Sequence, residues 1–222
     1  HNVRKAVLTD DEAVVEEGSL KSALVVIKNP MVLILGVFYF FLKPARYAIL
    51  FWGPLYISEK FGTGMTKSAV VSVSFELGGP LGILAAGYIS DKVFGSRRMP
   101  ISIICLIGLS ILLFSFNYLA GFQNTLLVAC LLFAIGFLLF GPDSLLSGAA
   151  AVDFGTKEGA STASGFINGM GAIGAILGGA LPGIIAARWG WEPLFYMLGI
   201  TTSLATIVLI PKWNALPKTV DD

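Results

Sequence analysis

Long apolar stretches separated by short polar segments run through most of the sequence. About 20 mainly apolar residues are enough for one helix to cross a membrane. Stretches of about that length or longer occupy residues 31–57, 68–90, 100–119, 125–152, 160–187 and 193–210. The connections between them are short, which favours neighbouring antiparallel helices. The pattern therefore predicts an all-α membrane protein whose six transmembrane helices form one bundle over residues 30–211.

The two ends of the chain differ from the spans. Residues 1–29 are polar, acidic in their middle and too short to bury a core, so we predict a mobile cytoplasmic segment before the bundle. Within it, residues 19–28 have apolar side chains at helical spacing and can form a helix that lies on the membrane surface. Residues 212–222 are predicted to be a cytoplasmic tail. Because the chain begins with His1 rather than methionine, we expect a fragment of a longer protein.

Composition narrows the classes of function. The sequence is 55% apolar and 13% charged, its mean hydropathy is +0.81 and its net charge is +1. Soluble proteins average about 25% charged residues, so a lipid bilayer is the predicted surrounding, and no nucleic-acid partner is indicated. His1 is the only histidine, and Cys105 and Cys130 lie in apolar stretches. No metal site, disulfide framework or cofactor is therefore predicted, and no nucleophile–base pair or phosphate-binding loop indicates an enzyme.

Lysine and arginine residues indicate how the bundle is oriented. The side of the spans that carries the N-terminus holds ten of the 15 basic residues: Arg4, Lys5, Lys21, Lys28, Lys92, Arg97, Arg98, Lys157, Lys212 and Lys218. Three others, Lys60, Lys67 and Arg188, lie on the opposite side. Since short loops rich in basic residues stay in the cytoplasm, both termini are predicted to be cytoplasmic. The protein is thus predicted to be a multi-pass protein of the plasma (inner) membrane.

Glycine is concentrated in the second and fifth spans. Residues 68–90 and 160–187 are each the middle span of a set of three, within residues 31–119 and 125–210. Glycines three or four residues apart let helices approach closely, so packing alone is one explanation. Corresponding glycine-rich helices in two halves also predict two inverted three-helix repeats around a transporter cavity. Both explanations stay open at this point.

The connection between the second and third spans carries a specific motif around Gly95. Its marked residues are Gly87, Asp91, Lys92, Arg97 and Arg98. It resembles the signature loop of the major facilitator superfamily, G-x-x-x-D-[KR]-x-G-[RK]-[RK], with one extra residue before the second glycine. The resemblance implies a conformational latch, and it implies that the chain is the C-terminal half of a twelve-helix transporter partnered by an N-terminal six-helix half. The alternative for the loop is a simple positive stop signal.

Two cations lie in the middle of the first span. Lys43 and Arg46 would each cost about 2.5–3.5 kcal/mol at the centre of a bilayer, so an offsetting interaction is expected. Tyr39, Lys43 and Arg46 are at helical spacing and share one face. Arg46 could bind a substrate or join an interhelical ion pair. Lys43 could contact an anionic substrate or neutralise Glu76 in the second span, and the pairing is favoured because a membrane glutamate needs a partner or a proton.

The first span is also similar to that of a transporter family. Residues 42–59, LKPARYAILFWGPLYISE, resemble the seventh span of the organophosphate:phosphate antiporters, and residues 140–156 and 160–179 resemble their tenth and eleventh spans. The resemblance implies an exchange of glycerol-3-phosphate or a sugar phosphate for inorganic phosphate. It implies that Arg46 is one of two arginines that hold the phosphate, with the other in the missing half. The predicted substrate site is completed by Tyr39, Lys43, Tyr47 and Asn168.

The chain departs from that family pattern at a few positions. Phe51 and Asn168 stand where some members carry an acid, so any ion pair made there is absent here. Asp143, at membrane depth in the fourth span, has no assigned role. Two other functions stay open. One is a transporter-like sensor of hexose phosphate that signals to a kinase, and the other is a proton-coupled carrier of another solute that uses Glu76 as its proton site.

Overall fold

The computed structural model describes residues 27–149 and 160–215, and all regular structure in these ranges is helical. The six long helices are α1 (Pro30–Phe61), α2 (Met65–Lys92), α3 (Arg98–Ala120), α4 (Thr125–Ser144), α5 (Ala160–Trp189) and α6 (Glu192–Leu209). A π-helical segment, Leu145–Ala149, follows α4, and a 3-10 turn, Ile210–Lys212, follows α6. All six long helices have the length and apolar character needed to cross a membrane, which confirms the predicted all-α membrane fold.

Several predicted segments lie wholly or partly outside the described residues. These are the surface helix at 19–28, the polar segment 1–29, the end of the fourth span after residue 149, and the tail after residue 215. Within the described ranges, α1 and α2 are longer than the predicted spans 31–57 and 68–90. The extra turns contain polar residues such as Lys60 and Lys67, which hydropathy excludes from a span although the backbone stays helical.

Local sequence explains where α1 and α4 begin. The Asn29 side chain accepts a hydrogen bond from the Met31 amide at 2.9 Å, and Pro30 occupies the first turn, where no amide donor is needed. Asn124 caps α4 in the same way, accepting from the amides of Leu126 and Leu127. Both caps satisfy amide groups that would otherwise lack a partner at a helix start. The helix starts are therefore set by asparagine residues outside the apolar pattern.

The first three helices and the last three helices make equivalent packing contacts. The most extensive interfaces join α2 to α4 and α1 to α5, and the next joins α3 to α6. Exchanging α1–α3 with α4–α6 converts the first two interfaces into each other and leaves the third unchanged. Because each set contains three successive spans, the second set crosses the membrane in the opposite direction to the first. The bundle therefore consists of two inverted three-helix repeats, as predicted.

Glycine allows the two largest interfaces to form at backbone distance. A side-chain carbon added to Gly178 of α5 would lie 2.6 Å from the Pro44 carbonyl oxygen of α1. A carbon added to Gly78 of α2 would lie 2.8 Å from the Phe137 amide nitrogen of α4. At these positions, therefore, glycine serves close packing. By contrast, a side-chain carbon added to Gly165 of α5 would have no atom of the described residues within 4 Å, so packing among those residues does not require glycine there.

The buried core lies between α1, α3, α4 and α6, while α2 and α5 flank it. Only 28% of the apolar stretch of α2 and 22% of that of α5 are buried, against 61% for α3. Large apolar side chains are exposed on both flanking helices, including Leu77, Leu81 and Leu84 of α2 and Ile173 and Ile176 of α5. These faces contact lipid or further protein when the bundle is in a membrane.

Candidate functional site

A charged cluster joins the middle of α1 to the C-terminal end of α4. It consists of Lys43, Arg46 and Asp143. The Lys43 Nζ lies 3.1 Å from Asp143 Oδ1, and Arg46 Nη1 donates a hydrogen bond to Asp143 Oδ2. The Asp143 residue is only 5% exposed. One buried carboxylate thus neutralises one of the two cations, and the cluster keeps a formal net charge of +1.

The backbone around Asp143 has an irregular helical geometry and is hydrogen-bonded to α1. Asp143 follows Pro142, and the chain then widens from the α-helix into the π-helical segment Leu145–Ala149. π-Helical turns are frequent at functional sites. The Tyr39 hydroxyl, fully buried on α1, donates a hydrogen bond to the Asp143 carbonyl oxygen. The carboxylate is therefore attached to a backbone segment that is fixed from the α1 side.

Aromatic rings form the walls of the cluster. The Arg46 Cζ lies 4.4 Å from the centroid of the Phe140 ring, and the Lys43 Nζ lies 4.8 Å from that of Tyr39. Cations are attracted to the faces of such rings, and the attraction grows where water is excluded. The rings therefore help to offset the cost of holding two cations within an apolar helix.

Arg46 is more accessible than Lys43, and one of its N–H groups has no hydrogen-bond partner among the described residues. Its side chain is 28% exposed, against 12% for Lys43. Arginine has five N–H donors, and the buried Nε of Arg46 has no hydrogen-bond partner among the described residues. Arg46 is thus bound to Asp143 and still partly exposed, an arrangement that suits a second anion.

Helix α5 presses against α1 over the turn that carries the cations. A side-chain carbon at Gly171 would stand 2.9 Å from Tyr39 Cδ1 and 3.1 Å from Lys43 Cγ. The Trp52 Nε1 donates to the Gly179 carbonyl oxygen at 2.9 Å. Pro44, between the two cations, lies against Gly178. The glycine face of α5 therefore determines where α1 places Lys43 and Arg46.

The predicted substrate residues divide into two groups. Tyr39, Lys43 and Arg46 contact the same residue, Asp143. Tyr47 is partly buried, with its ring 5.6 Å from that of Phe51 on its own helix. Asn168 is exposed on α5, and its amide donates to the Ser164 carbonyl oxygen at 2.9 Å. Among the described residues, no hydrogen bond or ion pair joins Tyr47 or Asn168 to the charged cluster.

Pairing of Lys43 with Glu76 was the favoured prediction, and it is wrong for this structure. Lys43 pairs with Asp143, while Glu76 is exposed on α2 and makes no ion pair with the described residues. The physical reason is the orientation of α2: this helix packs against α1, but Glu76 lies on its exposed face, whereas Asp143 is buried at the end of α4 beside the two cations. Sequence reasoning missed Asp143 as the counter-ion. The available signal was that an acid at membrane depth needs a cation, and Lys43 and Arg46 were the two at hand.

The signature loop is closed by hydroxyl groups in this structure. Asp91 accepts a hydrogen bond from Ser96 Oγ at 3.0 Å, and Ser90 Oγ donates to the Arg97 carbonyl oxygen at 3.3 Å. Gly95 and Ser96 both have positive φ angles, 59° and 63°, which accommodates the extra residue of the motif. The conformational latch implied by the resemblance stays a prediction, because the described residues show one arrangement of the loop.

Comparisons with known proteins identify the family of the chain. The model of the Major Facilitator Superfamily matches residues 35–220. The membrane sensor protein UhpC of Escherichia coli is 34% identical over 190 residues, which is 86% of this chain and 43% of that protein. A probable hexose phosphate transport protein of Chlamydia pneumoniae is 30% identical over 220 residues, 98% of this chain and 48% of that protein. The glycerol-3-phosphate transporter of Bacillus subtilis is 33% identical over 180 residues, which is 81% of this chain and 39% of that protein. The chain spans about half the length of these curated relatives.

Proposed function

The chain belongs to the Major Facilitator Superfamily, and we propose that it is the C-terminal half of a secondary transporter that exchanges an organophosphate for inorganic phosphate. The organophosphate is a sugar phosphate or glycerol-3-phosphate, in line with the names of the relatives. The observation that carries the proposal is the cluster of Lys43, Arg46 and Asp143, which has an excess positive charge at the middle of a transmembrane helix. The proposed protein moves its substrate without making or breaking bonds, so it is not an enzyme.

Arg46 is the phosphate ligand in this proposal. Its guanidinium presents paired donors that match two phosphate oxygens and stays charged at every working pH. Its side chain is 28% exposed, which leaves room for the ligand. In a site with little water, the attraction between a cation and a phosphate anion is weakly screened. Lys43 supplies the charge that neutralises Asp143, which leaves Arg46 a net attraction for an anion.

The other half of the site comes from the N-terminal six-helix half. We propose that this half covers the exposed faces of α2 and α5 and contributes the second phosphate-binding arginine. Tyr47 and Asn168, which form no hydrogen bond with the charged cluster, and Glu76, exposed on α2, would then meet the substrate or the other half across the shared cavity. Rocking of the two halves around a site at the midplane gives alternating access. Two arginines without an anion repel each other, which disfavours reorientation of the empty carrier and favours exchange.

A sensor is the second candidate function, because one relative with 34% identity is named a membrane sensor protein. A sensor needs the same phosphate ligand, so Arg46 and the cluster would be retained. It would differ from a carrier in that the bound phosphate ester is not released on the other side of the membrane.

Proteoliposomes test the proposed function. The carrier, with this chain as its C-terminal half, is reconstituted with internal phosphate, and the uptake of labelled phosphate is measured. We expect uptake that requires internal phosphate and is inhibited by hexose phosphates or glycerol-3-phosphate. Binding of a phosphate ester without exchange would support the sensor. Uptake of another solute that collapses with the pH gradient would contradict the proposal and point to Glu76 as a proton site.

Thiol labelling tests the predicted orientation. In a background without Cys105 and Cys130, Gly64→Cys lies between α1 and α2, and Val93→Cys lies in the signature loop. Gly64 and Val93 are exposed. If both termini are cytoplasmic, a membrane-impermeant maleimide labels Gly64→Cys in intact cells and labels Val93→Cys only after permeabilisation. The reverse pattern would overturn the orientation.

A further inference from the structure

We propose that Asp143 is a built-in anion that competes with the substrate phosphate for Arg46 and thereby sets the affinity of the site. This inference rests on the proposed function and assigns a role to a residue at the α4 end of the charged cluster. In the unloaded site, Asp143 holds the guanidinium through Nη1. When phosphate arrives, Arg46 turns from the carboxylate to the phosphate, and Asp143 stays with Lys43. Asp143 is thus a positioning residue that acts on the substrate through Arg46.

The geometry gives Asp143 one permanent and one exchangeable partner. Lys43 is the less exposed cation, lies against the Tyr39 ring and meets Oδ1. Arg46 meets Oδ2, is more than twice as exposed as Lys43 and has a buried Nε without a hydrogen-bond partner among the described residues. A cation whose donors are partly unused gains from a second acceptor, whereas Lys43 is enclosed. The pair Lys43–Asp143 therefore remains, and the pair Arg46–Asp143 is the one that phosphate can replace.

Because its backbone is fixed, the Asp143 carboxylate stays in place and competes with phosphate for Arg46. The Tyr39 hydroxyl holds the carbonyl oxygen of Asp143, and the residue is 5% exposed. The carboxylate consequently cannot follow Arg46 out towards the ligand or escape into water. Each time phosphate leaves, Asp143 is in place to take the guanidinium back. The expected result of this competition is weaker phosphate binding and faster release than an uncontested arginine would give.

Variants of equal net charge distinguish competition by Asp143 from a general effect of charge on phosphate binding. The cluster has two cations and one carboxylate, a net charge of +1. Asp143→Asn raises that charge to +2 and removes the competitor. The double substitution Lys43→Met with Asp143→Asn returns the net charge to +1 while still removing the competitor. The unchanged protein and the double variant thus have equal charge and differ in whether Arg46 is contested.

The experiment measures phosphate binding and exchange in the complete carrier. Inorganic phosphate is the probe, and its dissociation constant is compared for the unchanged protein, Asp143→Asn and the double variant. Because a competing state lowers apparent affinity by the fraction of time that it occupies the ligand, both variants should bind phosphate about tenfold more tightly. In proteoliposomes, Asp143→Asn should lower KM and also lower the maximal exchange rate, since release is slowed. Asp143→Glu, which keeps the carboxylate, should restore values near those of the unchanged protein.

The outcomes are distinct. Glu59→Gln removes an exposed carboxylate from the outer end of α1 and should leave phosphate affinity unchanged. If Asp143→Asn fails to fold, the double variant, in which no lysine is left without its partner, decides the question. Equal or weaker phosphate binding in the folded variants would overturn this inference alone. Absence of phosphate binding in the unchanged protein would overturn the proposed function and this inference with it.

Discussion

Lysine in place of Arg46 should lower the rate of phosphate exchange on the order of 100-fold, because hydrogen bonds to charged groups contribute about 1.5–3 kcal/mol each. Lysine keeps the positive charge and can still pair with Asp143, so the fold should be preserved. It loses the planar pair of donors that fits two phosphate oxygens at once. Counterflow of labelled phosphate in proteoliposomes measures the effect, and thermal unfolding in detergent checks that the protein is intact.

The matched control for this prediction is Arg188→Lys. Arg188 is an exposed arginine in the last turn of α5, and the same chemical change there should leave exchange unchanged. Full activity of Arg46→Lys would show that positive charge alone is enough, and the phosphate site would then have to be sought elsewhere. Equal loss in both variants would point to a general need for arginine rather than to a ligand.

Alanine in place of Gly178 should destabilise the bundle and weaken phosphate binding together. The added carbon would lie 2.6 Å from the Pro44 carbonyl oxygen and 2.7 Å from its Cα, so backbone rather than a flexible side chain must move. Overpacking typically costs about 1–3 kcal/mol, which corresponds to a fall in Tm of roughly 2–12 °C for a chain of this size. Because Pro44 lies between Lys43 and Arg46, the same displacement moves both cations. Thermal unfolding with and without phosphate measures the two effects.

Gly165→Ala provides the comparison on the same helix. No atom of the described residues lies within 4 Å of the position that its side-chain carbon would take, and alanine favours a helix over glycine by up to about 1 kcal/mol. This variant should match or exceed the Tm of the unchanged protein. Similar destabilisation by both substitutions would contradict the role assigned to the contact between Gly178 and Pro44.

Apolar pattern was sufficient to predict the class of fold and the number of helices. Each span is long, strongly apolar and separated from the next by polar residues, so its existence does not depend on tertiary contacts. The three-helix repeat was also detectable, because the glycines of α2 and α5 are imposed by equivalent close interfaces. Helix ends were less predictable. They depend on caps such as Asn124 and on polar last turns, which an apolar pattern does not include.

The site was predictable only on the α1 side. Spacing along one helix placed Tyr39, Lys43 and Arg46 on a common face, and all three contact Asp143. The choice between Glu76 and Asp143 as counter-ion depends on which face each neighbouring helix turns towards α1, and spacing along a single helix contains no such information. Glu76 is nearer in the sequence to the cations, but α2 directs it away from them. To predict an ion pair between two helices, one must first know which face each helix turns towards the other.

The glycine contacts also affect how the bundle responds to force. In many helix pairs a layer of side chains separates the two backbones and can shift when one helix slides. Between α1 and α5, and between α2 and α4, the backbones themselves touch at glycine, so no compliant layer lies between them. A load applied to the outer faces of α2 and α5 is then transmitted to α1 and α4 almost undiminished. The bundle should turn as a stiff body, with the charged cluster carried along as part of it.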